Sequence, residues 1–200
     1  MNSAGVVAAA GLSSRMGAFK PLLPYKDATV IEATVGLLKK SGVDHVFVVV
    51  GHNGKDIAEL FKGAQGVTCI ENPDYSSSDM FASVCLGLRE ARAFDVVFFL
   101  PGDMPVVEDG LCEMLLQQVQ KENALWGRPT REGRGQHPVL LTRAAVEQVL
   151  AYSGDGGLRG ALRTLSRPPL EMPVEDLGCS LDIDTPDEYR FLLRYTEEKK

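Results

Sequence analysis

The sequence predicts an α/β protein, three layers (α/β/α) built around a mostly parallel central sheet. Two observations carry this. Residues 6–10, 45–50 and 95–100 are short runs that stay apolar almost throughout, which is how strands read when helices cover both faces of a sheet. Between and after them, apolar residues recur at helical spacing. Strand and helix therefore alternate through the first half of the chain, the pattern of a doubly wound, Rossmann-like sheet.

Residues 6–10 form the first strand and run into Gly11. Thr29, with Glu32 three residues on, is a capping-box pattern. Ile31, Val35 and Leu38 give the following helix its apolar stripe, Lys39 and Lys40 suit its last turn, and Gly42 stops it. After the strand at 45–50, Gly51 makes a turn and Asn53 an N-cap for a helix over 54–63. Residues 67–70 are a third strand. Asn72-Pro73 opens a loop, and Ser76 to Ser78 lead into a helix over 79–92. The strand at 95–100 is followed by Pro-Gly-Asp-Met-Pro, and Leu111, Met114, Leu115 and Val119 form the stripe of the next helix. The second half is less regular. A strand at 124–127, a polar excursion at 129–136, a strand at 139–142 and a helix over 143–151 come first. A glycine turn at 154–157, a short helix over 158–165 and a strand at 181–184 follow. Thr185 caps a final helix with Pro186 in its first turn. No repeat or linker divides the chain, so residues 1–200 read as one domain.

Composition limits the function classes. The chain is 44% hydrophobic and 24% charged, with a net charge of −6, which is globular and the wrong sign for a nucleic-acid binder. No apolar run approaches the roughly 20 residues of a membrane span, and the first residues lack a signal-peptide pattern, so a cytoplasmic location is expected. Cys69, Cys85, Cys112 and Cys179 contain no C-x-x-C pair and read as reduced thiols.

The first strand opens into a loop with Gly11 and Gly17 at its ends and Arg15 and Lys20 on it. Glycines admit a ligand close to the backbone, N–H groups face its oxygens, and two cations neutralise a polyphosphate. The loop is not a Walker A loop: five residues separate the glycines, and Lys20 is followed by Pro21. Nor is it a dinucleotide fingerprint, because Ser13 occupies the second glycine position.

The acidic residues fall in two places. Asp103 sits just past the end of a buried strand, where open α/β sheets bind ligands and where a carboxylate near phosphates suits Mg²⁺. Asp182 and Asp184 alternate on the 181–184 strand and so share a face. Paired carboxylates repel unless a cation lies between them. Helix capping and a solvated strand end are the plain alternatives for these residues.

The segment A-A-G-L-S-S-R-M-G-x-x-K-x-L-L-P resembles the signature loop of nucleotidyltransferases of the nucleotide-diphospho-sugar transferase fold, and within them the molybdenum cofactor cytidylyltransferases. The resemblance implies phosphate contacts for Gly11, Arg15 and Lys20, places Ala8, Ala9, Ala10 and Leu12 near base and ribose, and puts Ser83 near the base or ribose. L-P-G-D-M-P around Asp103 and D-I-D-T-P around Asp184 resemble the two halves of the family's magnesium site. They imply Asp103 and Asp184 as ligands, with Asp182 a further ligand or a neighbour that orients them. Gly133 to Leu140 and Gly154 to Arg159 resemble the segments that distinguish the molybdenum cofactor branch, implying that His137, Asp155 and Arg159 face the second substrate. Ala9-Ala10-Gly11 matches the cytidylyl branch, where the guanylyl branch has Ala-Gly-Gly. A Cβ at position 10 would narrow the base slot towards a pyrimidine. Three departures from the family pattern, Asp79, Gln136 and Leu158, bear on the second substrate more than on the reaction.

The expected activity is transfer of CMP from CTP to the phosphate of molybdenum-molybdopterin, with release of pyrophosphate and Mg²⁺ as cofactor. A molybdenum-dependent hydroxylase would receive the product; nucleic acid and membrane are not expected partners. Two other readings stand beside it: nucleotidyl transfer to a sugar or polyol phosphate, and a non-catalytic molybdopterin chaperone.

Overall fold

The computed structural model describes residues 1–12 and 16–198. The chain runs through β1 (Ser3–Ala9), a ribbon of β2 (Pro24–Tyr25) and β3 (Ala28–Thr29), α1 (Val30–Lys40), β4 (His45–Val50), α2 (Gly54–Leu60) and β5 (Val67–Glu71). It continues through α3 (Met80–Ala91), β6 (Val96–Pro101), α4 (Leu111–Lys121), β7 (Trp126–Arg131), β8 (Arg134–Gly135) and β9 (Val139–Thr142). It ends with α5 (Arg143–Leu150), α6 (Gly157–Arg163), β10 (Leu170–Pro173) and α7 (Pro186–Glu198).

The main sheet has the order β10-β7-β9-β6-β1-β4-β5, with β8 paired to β7. β1 lies parallel to both β4 and β6, β4 to β5 and β7 to β10. β9 runs antiparallel to β6 and β7. The sheet is mostly parallel, as the continuous apolar runs require. Alternation along β1 sends Val7 and Ala9 to one face and Ala4 and Val6 to the other. The first face is covered by Ile31 and Leu38 of α1, Ile57 of α2 and Leu111 and Leu115 of α4. The second is covered by Val84 and Leu88 of α3, Val146 of α5 and Leu162 of α6. A smaller cluster of Met16, Tyr25, Val30, Ile183 and Leu192 fastens α7 to the ribbon and α1. Among the described residues, no helix is long and apolar enough to cross a membrane.

Most element positions match the sequence reading, and the differences have local causes. The capping box of α1 forms as expected: Thr29 Oγ1 accepts from the Glu32 N–H, and Glu32 accepts from the Thr29 N–H. Asn53 precedes α2 but does not cap it, because at φ 51° it is left-handed and its side chain makes no cap bond. Met114 leaves the α4 stripe and is 45% exposed. The excursion at 129–136 is a hairpin: β7 extends to Arg131 and returns in β8 through Glu132 and Gly133, both at positive φ (53° and 72°). β10 has no counterpart in the sequence reading, since Leu-Glu-Met-Pro has weak alternation and ends on proline. Residues 181–184 form no regular element and, among the described residues, pair with no strand; a 3₁₀ turn, Leu177–Ser180, precedes them.

Candidate active site

The site lies at the C-terminal edge of β1 and β6. Past β6, the Gly102 N–H donates to the Ala8 carbonyl at 2.9 Å, which binds the exit of one strand to the other. This sets Asp103 beside the start of the glycine loop. Gly17 (φ 71°) turns the returning chain, and Pro21 starts the 3₁₀ turn Lys20–Leu22. Lys20 is thereby buried, at 9% exposure. Its Nζ lies 3.3 Å from Asp103 Oδ2 and 2.5 Å from Asp184 Oδ1.

Asp184 is held by its neighbours. Thr185 Oγ1 accepts from the Glu188 N–H, while the Glu188 carboxylate accepts from Thr185 Oγ1 and from the Asp184 N–H, both at 2.9 Å. Ile183 is fully buried just before it. The alternation expected for 181–184 thus survives without a strand: Ile183 points to the core, and Asp182 and Asp184 both line the cleft.

Electrostatically the site is tense. Burial pushes the Asp103 carboxyl up, and the Lys20 ammonium beside it pulls it back. Asp182 is also raised by burial, with Asp184 and Glu188 adding like charge. Two carboxylates converge on one cation. Their hard oxygens fit a divalent ion of the kind that takes one or two protein carboxylates and completes its shell with phosphates and water. Among the described residues, no group of three or more His, Cys, Asp or Glu side chains could hold a metal ion by itself.

The cleft above these charges measures about 550 Å³. Ala8, Ala9, Ala10, Gly11 and Leu12 form one wall, and Tyr75, Ser78, Asp79, Met80 and Ser83 face them. Gly51 permits this approach: a Cβ there would sit 2.5 Å from Tyr75 Cβ and 2.9 Å from the Ala10 carbonyl. Leu12 and Met80 leave apolar surface at the mouth, 52% and 62% exposed. Gln136 and His137 line the cleft too.

His137 stands edge-on to Phe99, with ring centroids 5.5 Å apart. Its Nδ1 is sealed from solvent and has no hydrogen-bond partner among the described residues, although the residue keeps a partly open side toward the cleft. Burial pulls its pKa down to about 4, against a smaller opposing pull from the Phe99 carbonyl. The imidazole is therefore neutral near pH 7.

The structure brings Ala9, Ala10, Gly11, Leu12, Lys20, Ser83, Asp103, His137, Asp182 and Asp184 to one cleft. Arg15 lies outside the described residues. Asp155 and Arg159 do not line the cleft; both are exposed. Tyr152 Oη donates to the Asp155 carbonyl at 2.5 Å and folds that loop back onto α6. The loop still adjoins the rim, since a Cβ on Gly157 would lie 3.8 Å from Asp79 Oδ2. Tyr75 and Ser78, in the stretch from Asn72 to Ser83 that the family resemblance puts by the nucleotide, line the cleft as well. Their spacing alone does not single them out within that stretch, because a loop carries them to the wall.

A glycine loop, a buried lysine and two carboxylates at the carboxyl edge of this sheet are the parts of a nucleotidyltransferase. Residues 5–169 match the family described as MobA-like NTP transferase domain, and the chain belongs to that family. The molybdenum cofactor cytidylyltransferase of Escherichia coli (strain K12) is 28% identical over 196 residues, 96% of each chain. A molybdenum cofactor guanylyltransferase of Xanthomonas euvesicatoria pv. vesicatoria (strain 85-10) is 35% identical over 116 residues, 58% of this chain and 54% of that one. A Mycobacterium tuberculosis H37Rv protein, Rv0371c, solved in complex with manganese, superposes with a TM-score of 0.70 at 25% identity, covering 97% of this chain and 99% of that one.

Proposed function

We propose that the protein moves CMP from CTP to the phosphate of molybdenum-molybdopterin and releases pyrophosphate, acting as a single domain in the cytoplasm. One observation carries the catalytic part: Lys20 Nζ bridging Asp103 and Asp184 at the floor of the cleft. The Escherichia coli relative, similar along nearly its whole length, supports the cytidylyl assignment, as does Ala10 in the wall. The guanylyl relative keeps GTP as the donor to exclude.

In this reading the acceptor phosphate is already anionic and needs no strong general base. Its oxygen attacks the α-phosphorus in line, the new P–O bond forms, and the α–β bridging bond breaks to free pyrophosphate. Lys20, with Arg15, neutralises the charge that grows on the leaving group. Asp103 and Asp184 would hold a divalent ion, magnesium or the manganese found with Rv0371c, with Asp182 beside them. When bound, that ion supplies charge neutralisation at the reacting phosphate oxygens. Ala9 to Leu12 and Ser83 hold the nucleotide, and His137, as a neutral hydrogen-bonding group, contacts the pterin side. Asp155 and Arg159 guide the acceptor at the rim. A molybdenum-dependent hydroxylase would take the product.

The test mixes protein, Mg²⁺, molybdenum-loaded molybdopterin and each nucleoside triphosphate, and follows pyrophosphate. Release with CTP is expected, and Asp103→Asn with Asp184→Asn should lower it by at least about a thousandfold. Release with GTP instead would move the protein to guanylyl transfer. Cofactor binding without release would make it a chaperone. Neither release nor cofactor binding would point to a sugar or polyol phosphate.

A further inference from the structure

We propose that Asn72 is a positioning residue: it sets the hydrogen-bond polarity of Ser78 and Ser83, so that both hydroxyls donate into the cleft to O2 and N3 of a cytosine base. This rests on the nucleotidyl-transfer reading above and adds to it the means of base selection.

Asn72 follows β5 and is buried, at 2% exposure. Its backbone is pinned on both sides, with its N–H donating to the Val50 carbonyl at 2.8 Å and its carbonyl accepting from the Tyr75 N–H at 3.3 Å. Its side chain can face only one way. Oδ1 accepts from the Asp74 N–H at 3.0 Å, and a backbone N–H cannot accept. Nδ2 therefore points the other way, where it donates to Ser78 Oγ at 3.1 Å and to Ser83 Oγ at 3.0 Å. Both amide hydrogens are used.

The consequence falls on the serines. Each hydroxyl oxygen already accepts from Asn72, so each O–H proton must point elsewhere. Among the described residues neither hydroxyl donates to an acceptor, and both side chains line the cleft. Ser83 is 4% exposed, so its proton has little water to turn to. A buried donor without a partner is costly, and a ligand that supplies the acceptor removes the cost.

Two fixed donors side by side select their ligand. Cytosine presents O2 and N3 as adjacent acceptors. Uracil carries a hydrogen on N3, and guanine presents N1–H and N2–H on its pairing edge. A donor facing a donor repels and leaves both unpaired. The serines alone do not fix this choice, because a hydroxyl can donate or accept. Asn72 removes the second option.

The variant Asn72→Asp keeps the shape and the contact with Asp74, but replaces the NH₂ by an oxygen that accepts. Ser78 and Ser83 would then donate to it and turn lone pairs toward the cleft. CTP and UTP affinities are measured calorimetrically with Mg²⁺ and no acceptor substrate. Their ratio cancels the effect of the added charge on the triphosphate. The wild type should prefer CTP, and Asn72→Asp should move the CTP:UTP ratio toward UTP by about tenfold or more, the worth of one hydrogen bond. The double variant Ser78→Ala/Ser83→Ala should lose the preference, and adding Asn72→Asp to it should change the ratio no further. A wild type that binds CTP but keeps its ratio in Asn72→Asp, or a ratio shift that persists without the serines, would overturn the proposal. So would a CTP:UTP ratio unchanged in the serine double variant, the deciding result if Asn72→Asp fails to fold. A wild type that favours GTP would overturn the cytosine assignment while leaving nucleotidyl transfer intact. A wild type that binds no nucleotide would overturn the nucleotidyl-transfer reading itself.

Discussion

Ala10 is buried in the wall of the cleft, with its carbonyl against the Gly51 turn. In the proposed cytidylyl reading, its methyl group would take room that a glycine would leave to a purine. Ala10→Gly should lower the CTP:GTP preference in kcat/KM by about tenfold, the scale of discrimination that one methylene-sized change supplies. An unchanged preference would remove the steric account and leave selection to hydrogen bonds. His137 makes a prediction in pH. Its folded pKa, about 4, lies below the ordinary 6.5, so between those values the unfolded chain binds the proton that the folded chain refuses. This contribution to stability is complete above the unfolded pKa and is lost as pH falls toward the folded one. Discounted for the side of the ring that faces the cleft, it amounts to about 2 kcal/mol. Urea unfolding at neutral pH and near pH 4 should show the wild type losing about that much more than His137→Gln. Parallel losses would mean that the ring is solvated.

At the scale of elements, α3 matters most to the site, because the buried face that it lays on β1 and β4 also carries Ser83, one turn before Gly87. The contact depends on Gly87: a Cβ there would come within 2.4 Å of Val6 Cγ1 and 3.1 Å of Val49 Cγ2. Gly87→Ala must lift the helix from the sheet or displace both valines, at about 1–3 kcal/mol. Denaturation should show that loss, and calorimetry should show weaker CTP binding, since Ser83 moves with the helix. A stable variant with weakened binding would mean that the helix shifts without losing its packing. Asp79 caps α3 by accepting from the Ala82 N–H at 3.0 Å. The carboxylate that departs from the family pattern thus has a local structural role at the cleft mouth. The cap of α7 belongs to the same scale, because the Thr185 and Glu188 bonds that start the helix also fix the backbone of Asp184.

Across the whole molecule, the floor of the cleft joins distant parts of the chain, with Lys20 and Asp184 separated by 164 positions. The family match ends at residue 169, yet Asp184 and α7 come later and pack through Ile183 and Leu192 onto Tyr25 and Val30. A chain ended after Glu175 should keep the circular dichroism of the sheet and its helices, unfold at lower urea, and lose pyrophosphate release by at least about a hundredfold. Release within tenfold of the full chain would show that one carboxylate suffices. β9, inserted antiparallel between β6 and β7, follows directly on Gln136 and His137, which line the cleft.

The sequence by itself determined the alternation of strand and helix, the glycine loop with Lys20, and the three aspartates as the acidic partners. These signals are local: apolar runs, caps and short motifs are written in neighbouring residues. Only the tertiary structure decided that Lys20 lies between Asp103 and Asp184, that Asp155 and Arg159 stay on the rim, and that residues 181–184 reach the cleft without joining the sheet. It also decided the partners of Asn72, Ser78 and Ser83. Those outcomes depend on which strand edges meet and which side chains a loop carries to a wall, and no spacing along the chain encodes them.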